Sequence, residues 1–399
     1  MNDGKLYSFY KSEQGDYIKI KRQYPQYVFI KLFRWLKMIR KVITDVYEDV
    51  HFSDRYDSES VGILLRELDV RHAHFTNLPI VPEVREFLHG ELLTSSVFST
   101  AAIGKPDISE TQVRAFLEKT EHYLDESQLQ IVNNIKRTFE YADNNFKNFQ
   151  MSPDSIRKIH MMLTIDTEEG LPGVFRNKER EVRSKDYTPP KASLQELTEE
   201  FCKWFVSSDM MKHHPAVRAF LAHYHIGMLQ PFSNGNGRTA RIAEMLVLNQ
   251  AGMPHIPHVL SQYYRRNRKD YIKAFIKNEK TGGFDMTPFL VFCLEGAVRA
   301  YKLITDMAVT GLRAISVKEY IRRLRMMKKI TERQKELLEI LYRYDKPFDL
   351  HELLMNPIFS GLYKGVTENT ARNDIKRLRE LNLIRSEKDM YVFNRFVLG

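Results

Sequence analysis

The chain has 399 residues, with 61 Lys and Arg against 51 Asp and Glu, a formal net charge of +10, and 43% hydrophobic residues. That length favours two or three domains, and the composition excludes a disordered or fibrous chain while allowing a sizeable core. Two distant cysteines, Cys202 and Cys293, argue against a disulfide framework or a zinc site and favour a reducing compartment. The polar N-terminus lacks an apolar signal core, and no run of about 18 apolar residues occurs, so a cytoplasmic chain without membrane contact is expected. The basic excess permits nucleic acid or anionic ligands as partners without proving either.

In chain order, residues 1–27 have the partial alternation of a short hairpin (DYIKIKRQY). Residues 28–43 place Phe29, Leu32, Leu36, Ile39 and Ile43 at helical spacing, with Lys31, Arg34, Lys37, Arg40 and Lys41 between them. A helix packed on the protein fits this better than a membrane-surface helix, because no lipidation signal accompanies it. Residues 59–145 read as helical, broken at LPIVPE and IGKPDIS, and PDSIRKIHMML predicts a further helix starting near Ser152. Residues 171–190, LPGVFRNKEREVRSKDYTPP, have Gly and Pro at both ends and predict a hairpin or flap. Helices follow at about 193–207, 214–229, 237–251 and 268–280, and helical patterns continue to about 308.

The densest chemistry lies in PFSNGNGRTAR, 231–241, followed by the helical pattern IAEMLVLNQ. Gly235, Asn236 and Gly237 therefore fall at a helix N-terminus, where backbone amides and the helix dipole favour an anion. Arg238 lies in the first turn, with Arg241 three residues on along the same face. Together they predict a site for a di- or triphosphate.

This stretch resembles the signature HxFx[DE]GNGRxxR of Fic (Fido-fold) proteins. The resemblance extends to AVRAFLAHYHIGML, the helix before the motif; to LPGVFRNKER, the family's flap; to YTPPKASLQELTEEFCKWF; and to QYYRRNRKDYIKAF, near the family's adenine pocket. It covers about residues 80–300. It implies a mainly α Fic helical fold with a β-hairpin flap, and transfer of AMP from ATP to a Ser, Thr or Tyr hydroxyl of a target protein. It assigns nucleotide binding to Gly235, Asn236, Gly237, Arg238, Arg241, Asn267 and Tyr271, and target binding to Gly173, Val174, Phe175 and Arg176.

The departures are two. Gln230 stands where the family has the histidine that takes the proton from the attacking hydroxyl, and an amide cannot accept a proton at neutral pH. Asn234 stands where the family has the acid that holds Mg²⁺; an amide oxygen can touch the ion but brings no charge, so support for Mg²⁺ is weak. His223 and His225 are expected to pack rather than to act as a substitute base. His255 and His258, in MPHIPH, are expected in a structural loop, and no metal site is expected. The segment SSVFST, 95–100, resembles the family's self-inhibitory helix with Ser95 in register and Ser99 in place of its glutamate. Arg241 would then lack the partner that usually restrains it.

Residues 317–335, VKEYIRRLRMMKKITERQK, are a basic helical run leading into a different pattern: three short helices, then two apolar pieces flanking Lys388-Asp389. Thr367 is a candidate N-cap for a helix that turns Ala371, Ile375, Leu378 and Leu381 inward. The pattern resembles a winged helix-turn-helix domain, with Arg372, Asn373, Lys376 and Arg377 suited to DNA. The expected domains are a helical extension at 1–80, a Fic domain at 81–308, a connector at 309–328 and the winged helix at 329–399. Three functions fit: a nucleotide-binding protein with impaired transfer coupled to DNA binding, an active transferase with a non-standard site, or a DNA-binding regulator using the Fic fold as a docking or homodimer scaffold.

Overall fold

The computed structural model describes residues 7–11, 17–21, 50, 52–105, 107–120, 123–168, 170–176, 193–280, 285–344 and 346–397. The expected N-terminal hairpin pairs β1 (Tyr7–Lys11) with β2 (Tyr17–Lys21) antiparallel, Tyr7 opposite Lys21. The basic segment 28–43 lies outside the described residues.

The chain divides into two units, Met1–His74 with Leu92–Tyr301, and Phe75–Glu91 with Lys302–Gly399. The helices run in the order α1 (Ser58–Thr76), α2 (Pro82–Gly104), α3 (Glu110–Leu117), α4 (Glu126–Asn145), α5 (Pro153–Thr164), α6 (Leu194–Phe205), α7 (Pro215–Leu229), α8 (Asn236–Gln250), α9 (Ile256–Arg266), α10 (Arg268–Lys280) and α11 (Thr287–Met326). Their starts are written locally. Ser109, Asp125 and Ser152 each accept from the backbone amide three residues on, and Gln112, Gln128 and Ser155 bond back, closing three capping boxes. The MPHIPH stretch corrects the loop expectation: α9 begins at Ile256, with Pro257 in its first turn, where proline lacks only a hydrogen bond the helix would not make.

α8 occupies the centre of the first unit. From Thr239 to Asn249 it is buried on every face, so its sequence carries little amphipathic contrast. It packs against α7, α5, α4 and α9. Ile242, Met245 and Leu246 join Val97, Ile131, Ile135, Phe139, Ile159 and Leu163 in one apolar core. The loop entering α8 is thereby anchored to the most buried helix of the unit.

In the second unit, α12 (Glu332–Arg343), α13 (Leu350–Met355), α14 (Pro357–Tyr363) and α15 (Glu368–Glu380) are followed by β3 (Ile384–Glu387) and β4 (Met390–Phe393). The strands pair antiparallel, with Lys388 in the turn at φ 57°. Phe348 adds a bridge to Tyr391, with both backbone amides donating across it at 2.9 and 2.7 Å. Val317, Ile321 and Leu324 of α11 share a core with Leu337, Leu341, Phe348, Phe359, Ile375 and Leu378. Residues 309–326 are the C-terminal part of the continuous helix α11. No described helix is long and apolar enough to cross a membrane.

Candidate functional site

The loop between α7 and α8 is bounded by two left-handed residues. Gln230 closes α7 at φ 42°, its N–H bonded to Ile226 O at 3.1 Å. Gly235 opens α8 at φ 72°. A Cβ there would stand 3.2 Å from the His160 ring and from Thr164, so the position requires both the backbone freedom and the missing side chain. Thr239 N–H bonds back to Gly235 O at 3.0 Å. The amides of residues 236–238 lie in the first turn of α8, at the positive end of the dipole.

Asn236, expected in the phosphate cradle, ties the loop to itself: its Oδ1 accepts from Phe232 N–H (2.9 Å) and its Nδ2 donates to Phe232 O (2.7 Å). Arg238 is half-buried, and Arg241 is 5% exposed. One Arg241 Nη would lie 3.4 Å from a Cβ at Gly237, which places the guanidinium beside the loop. Its Nε is buried with no partner among the described residues, and burial pulls its pKa down. A buried cation with an unused donor beside a helix N-terminus suits a polyphosphate oxygen, since leaving such a group unpaired is costly. Gln230 is half-buried and Asn234 exposed, so the two amides stand at the edge of this cradle.

His160 is the residue beneath the loop that the sequence reading missed. Its ring lies parallel to Phe232, 3.7 Å between centroids. Gly173 N–H donates to Nδ1 at 2.9 Å, and Nε2 lies 3.1 Å from Asn234 O, so an Nε2–H tautomer satisfies both. Burial pushes its pKa down to about 4; the Asn234 carbonyl pulls the other way, and the Arg238 charge adds to the depression. A signal was present, because Ile156, Ile159, His160 and Leu163 form one helical stripe and a histidine in an apolar stripe is buried.

The expected flap residues mostly serve the loop. Arg157 donates to Gly173 O (3.0 Å), and Phe175 packs on Phe232 at 5.2 Å. Arg176 N–H donates to Pro231 O (2.9 Å), its Nε to Gln230 O (2.7 Å) and its Nη2 to Leu229 O (3.4 Å). A buried cation thus sits on the carbonyl end of α7, where the dipole favours it. Val174 is exposed. The rest of the predicted hairpin, from residue 177 on, lies outside the described residues.

Asn267 ends α9 and accepts from Tyr271 N–H at 2.9 Å. Tyr271 is buried, with its hydroxyl 2.6 Å from His223 Nε2. His223 packs as expected and is bonded to Glu244. His225 is also buried, donating toward Ser53 O at 2.9 Å, and burial holds its pKa at about 4. His258, on α9, contacts Ser96 Oγ and Asp143. Among the described residues no cluster of three His, Cys, Asp or Glu could hold a metal ion. Ser95 and Ser99 both turn toward α9: Ser95 Oγ accepts from Gln262 at 3.0 Å, and Ser99 Oγ from Arg265 Nε at 3.4 Å.

Residues 150–248 match the model of the Fic/DOC family. The stretch that carries the cradle is thus similar to Fic domains. The chain is 30% identical over 169 residues to a protein adenylyltransferase Fic of Nematostella vectensis, covering 41% of this chain and 37% of that one. It is 31% identical over 166 residues to the protein of the same name from Aedes aegypti, covering 40% and 31%. The chain thus spans only about a third of the length of these curated relatives. A Fic family protein from Desulfovibrio desulfuricans superposes with a TM-score of 0.55 at 18% identity, covering 86% of this chain and 98% of the other. Fic-1 from C. elegans superposes with a TM-score of 0.51 at 20% identity, covering 62% and 71%. The structural likeness concerns the fold, which is the mainly helical Fic fold.

Of the four residues expected at a nucleic-acid surface, Asn373 and Lys376 are exposed. Arg372 is exposed but paired with Glu368 at 2.5 Å. Arg377 donates to Lys329 O at 3.1 and 3.2 Å and pairs with Glu380. The sequence reading also missed Asp374, a buried carboxylate on α15 that accepts from Arg333 (2.7 Å), Gln334 (2.8 Å) and Tyr363 (3.2 Å).

Proposed function

We propose that the Fic domain binds ATP or a related nucleotide through its phosphates, with AMP transfer impaired or absent, and that the C-terminal unit is a winged helix that couples this site to DNA. The observation carrying the first half is the cradle: the first turn of α8 at the positive end of its dipole, the left-handed Gly235 before it, and the buried Arg241 whose Nε has no partner among the described residues. Gly235, Gly237, Arg238 and Arg241 hold the anion, while Asn236 shapes the loop. The names of the curated relatives, protein adenylyltransferase Fic, support an adenine nucleotide as the ligand.

Chemistry is weakened at two places. Gln230 has no titratable group to take a hydroxyl proton, and losing a general base costs about 10²–10⁴-fold in rate. His160 cannot substitute, since both ring nitrogens are engaged and the ring is held neutral. His223 and His225 are buried and bonded elsewhere. A Mg²⁺ ion would bring charge to the phosphates, with the Asn234 amide oxygen as its contact from the loop. That donor set fits the ion poorly, and we route no step through it.

For the second unit, the support is the order of three short helices and a two-stranded hairpin, with Asn373 and Lys376 exposed on α15 and basic residues along the end of α11. Cytoplasmic location and work as a homodimer belong to the same proposal. Calorimetric titration with ATP tests the reading. Binding that Arg238→Ala weakens by tenfold or more is expected; no heat at millimolar ATP would leave the Fic fold as a scaffold only.

A further inference from the structure

Behind the cradle lies a buried row of polar groups that phosphate binding does not itself use. Glu244, on α8 three residues past Arg241, is 1% exposed. Its carboxylate accepts from His223 Nδ1 and from the Tyr264 hydroxyl, the latter at 2.9 Å. With Nδ1 donating to the carboxylate, His223 Nε2 accepts from the Tyr271 hydroxyl at 2.6 Å. The Tyr271 hydroxyl, its proton given to His223, leaves its oxygen lone pairs to the Arg241 guanidinium, its electrostatic partner one turn before Glu244 on α8. The donors run in one direction, from the Tyr271 hydroxyl through His223 to the Glu244 carboxylate, and Arg241 stands at the tyrosine end. A lone carboxylate in a fully buried helix is costly, as is a lone guanidinium, and a polar row that satisfies both ends removes each cost.

We propose that Tyr271, His223 and Glu244 are positioning residues for Arg241: they supply its counter-charge from within the core and hold it against the loop before any nucleotide arrives. This rests on the nucleotide-binding reading above, and it changes the part given to two residues. Tyr271 acts through Arg241 rather than on the base. Ser99, in the segment resembling an inhibitory helix, is bonded by Arg265, so the carboxylate that answers Arg241 comes from Glu244 on the arginine's own helix. The cradle is therefore built in a set position and is not masked by an acidic side chain from 95–100.

Two measurements test it on the full chain. The first needs no nucleotide: the melting temperatures of wild type, Arg241→Met, Glu244→Gln and the double variant. Glu244→Gln is expected to lower the melting temperature of the wild type but to lower it far less, or raise it, when Arg241 is already gone, because a buried carboxylate without its cation is itself a burden. Equal drops on both backgrounds would overturn the relay. The second is calorimetry with inorganic tripolyphosphate. Tyr271→Phe, which keeps the ring, is expected to weaken binding about tenfold through loss of one charge-assisted hydrogen bond. Unchanged affinity would overturn the positioning role. If the wild type binds no polyphosphate, the nucleotide reading fails, and the melting comparison still decides the relay.

Discussion

His160→Phe isolates one buried group with two separable effects. A phenyl ring keeps the parallel stack on Phe232 but can neither accept from Gly173 N–H nor donate to Asn234 O. Leaving buried polar groups unpaired costs about 1–3 kcal/mol each, so a loss of about 2–4 kcal/mol is expected near pH 7.5. The second effect is on pH dependence. His160 is held at about 4 in the fold against an ordinary value of 6.5, chiefly by burial. Above pH 6.5 neither folded nor unfolded chain binds this proton, and the contribution to stability is fully present. As pH falls from 6.5 toward 4, the unfolded chain takes up the proton first, and the contribution is lost. At pH 5, one and a half units below 6.5, the loss is about 2 kcal/mol. The variant lacks this term, so the gap between variant and wild type should shrink by about 2 kcal/mol between pH 7.5 and pH 5. His225 titrates in the same direction in both proteins and cancels in the difference. Urea unfolding followed by tryptophan fluorescence at the two pH values measures it. A gap that stays constant, or widens toward acid, would refute the assignment of a neutral, doubly bonded His160.

Three further outcomes follow from the same contacts. Gln230→His combined with Asn234→Asp should create label transfer from α-labelled ATP in the presence of Mg²⁺, because both changes act at the rim and leave Gly235, Arg238 and Arg241 in place; no transfer would mean that the scaffold lacks more than its base and acid. Lys376→Ala should weaken duplex DNA binding about equally across sequences and reduce the slope of log affinity against log salt by about 1; an unchanged slope would place the nucleic-acid surface elsewhere. Asp374→Ala should destabilise the second unit by about 3 kcal/mol, since Arg333, Gln334 and Tyr363 lose their common acceptor. Protease resistance of that unit reports it, and wild-type resistance would count against the network.

What was legible in the sequence was local. Ser152 and Thr367 cap the helices their spacing predicted, with side chains accepting from Ser155 and Thr370 amides. Gly235 needs a left-handed backbone, as a glycine before a strong helix suggests. The two strands flank Lys388-Asp389 as their apolar pieces implied. What was not legible depends on partners far away in the chain. His160 meets Asn234 across 74 residues, and His223 meets Tyr271 across 48. Neither residue is marked for its partner by spacing. Glu244 carried a partial signal, as a carboxylate inside the apolar run IAEMLVLNQ, but its hydrogen-bond partners His223 and Tyr264, 21 and 20 residues away, could not be read without the fold. Pro257 misled because proline breaks helices in their interior and starts them at their first turn.

The central claim is a cradle that holds the phosphates of a nucleotide without the groups to move AMP. The most direct measurement is incubation of the full chain with Mg²⁺, α-labelled ATP and cell lysate, beside the same reaction with Arg238→Ala. The account predicts no label above the Arg238→Ala background on the chain itself or on lysate proteins, in a protein whose calorimetry shows ATP bound. Robust labelling by the wild type, abolished by Arg238→Ala, would contradict it.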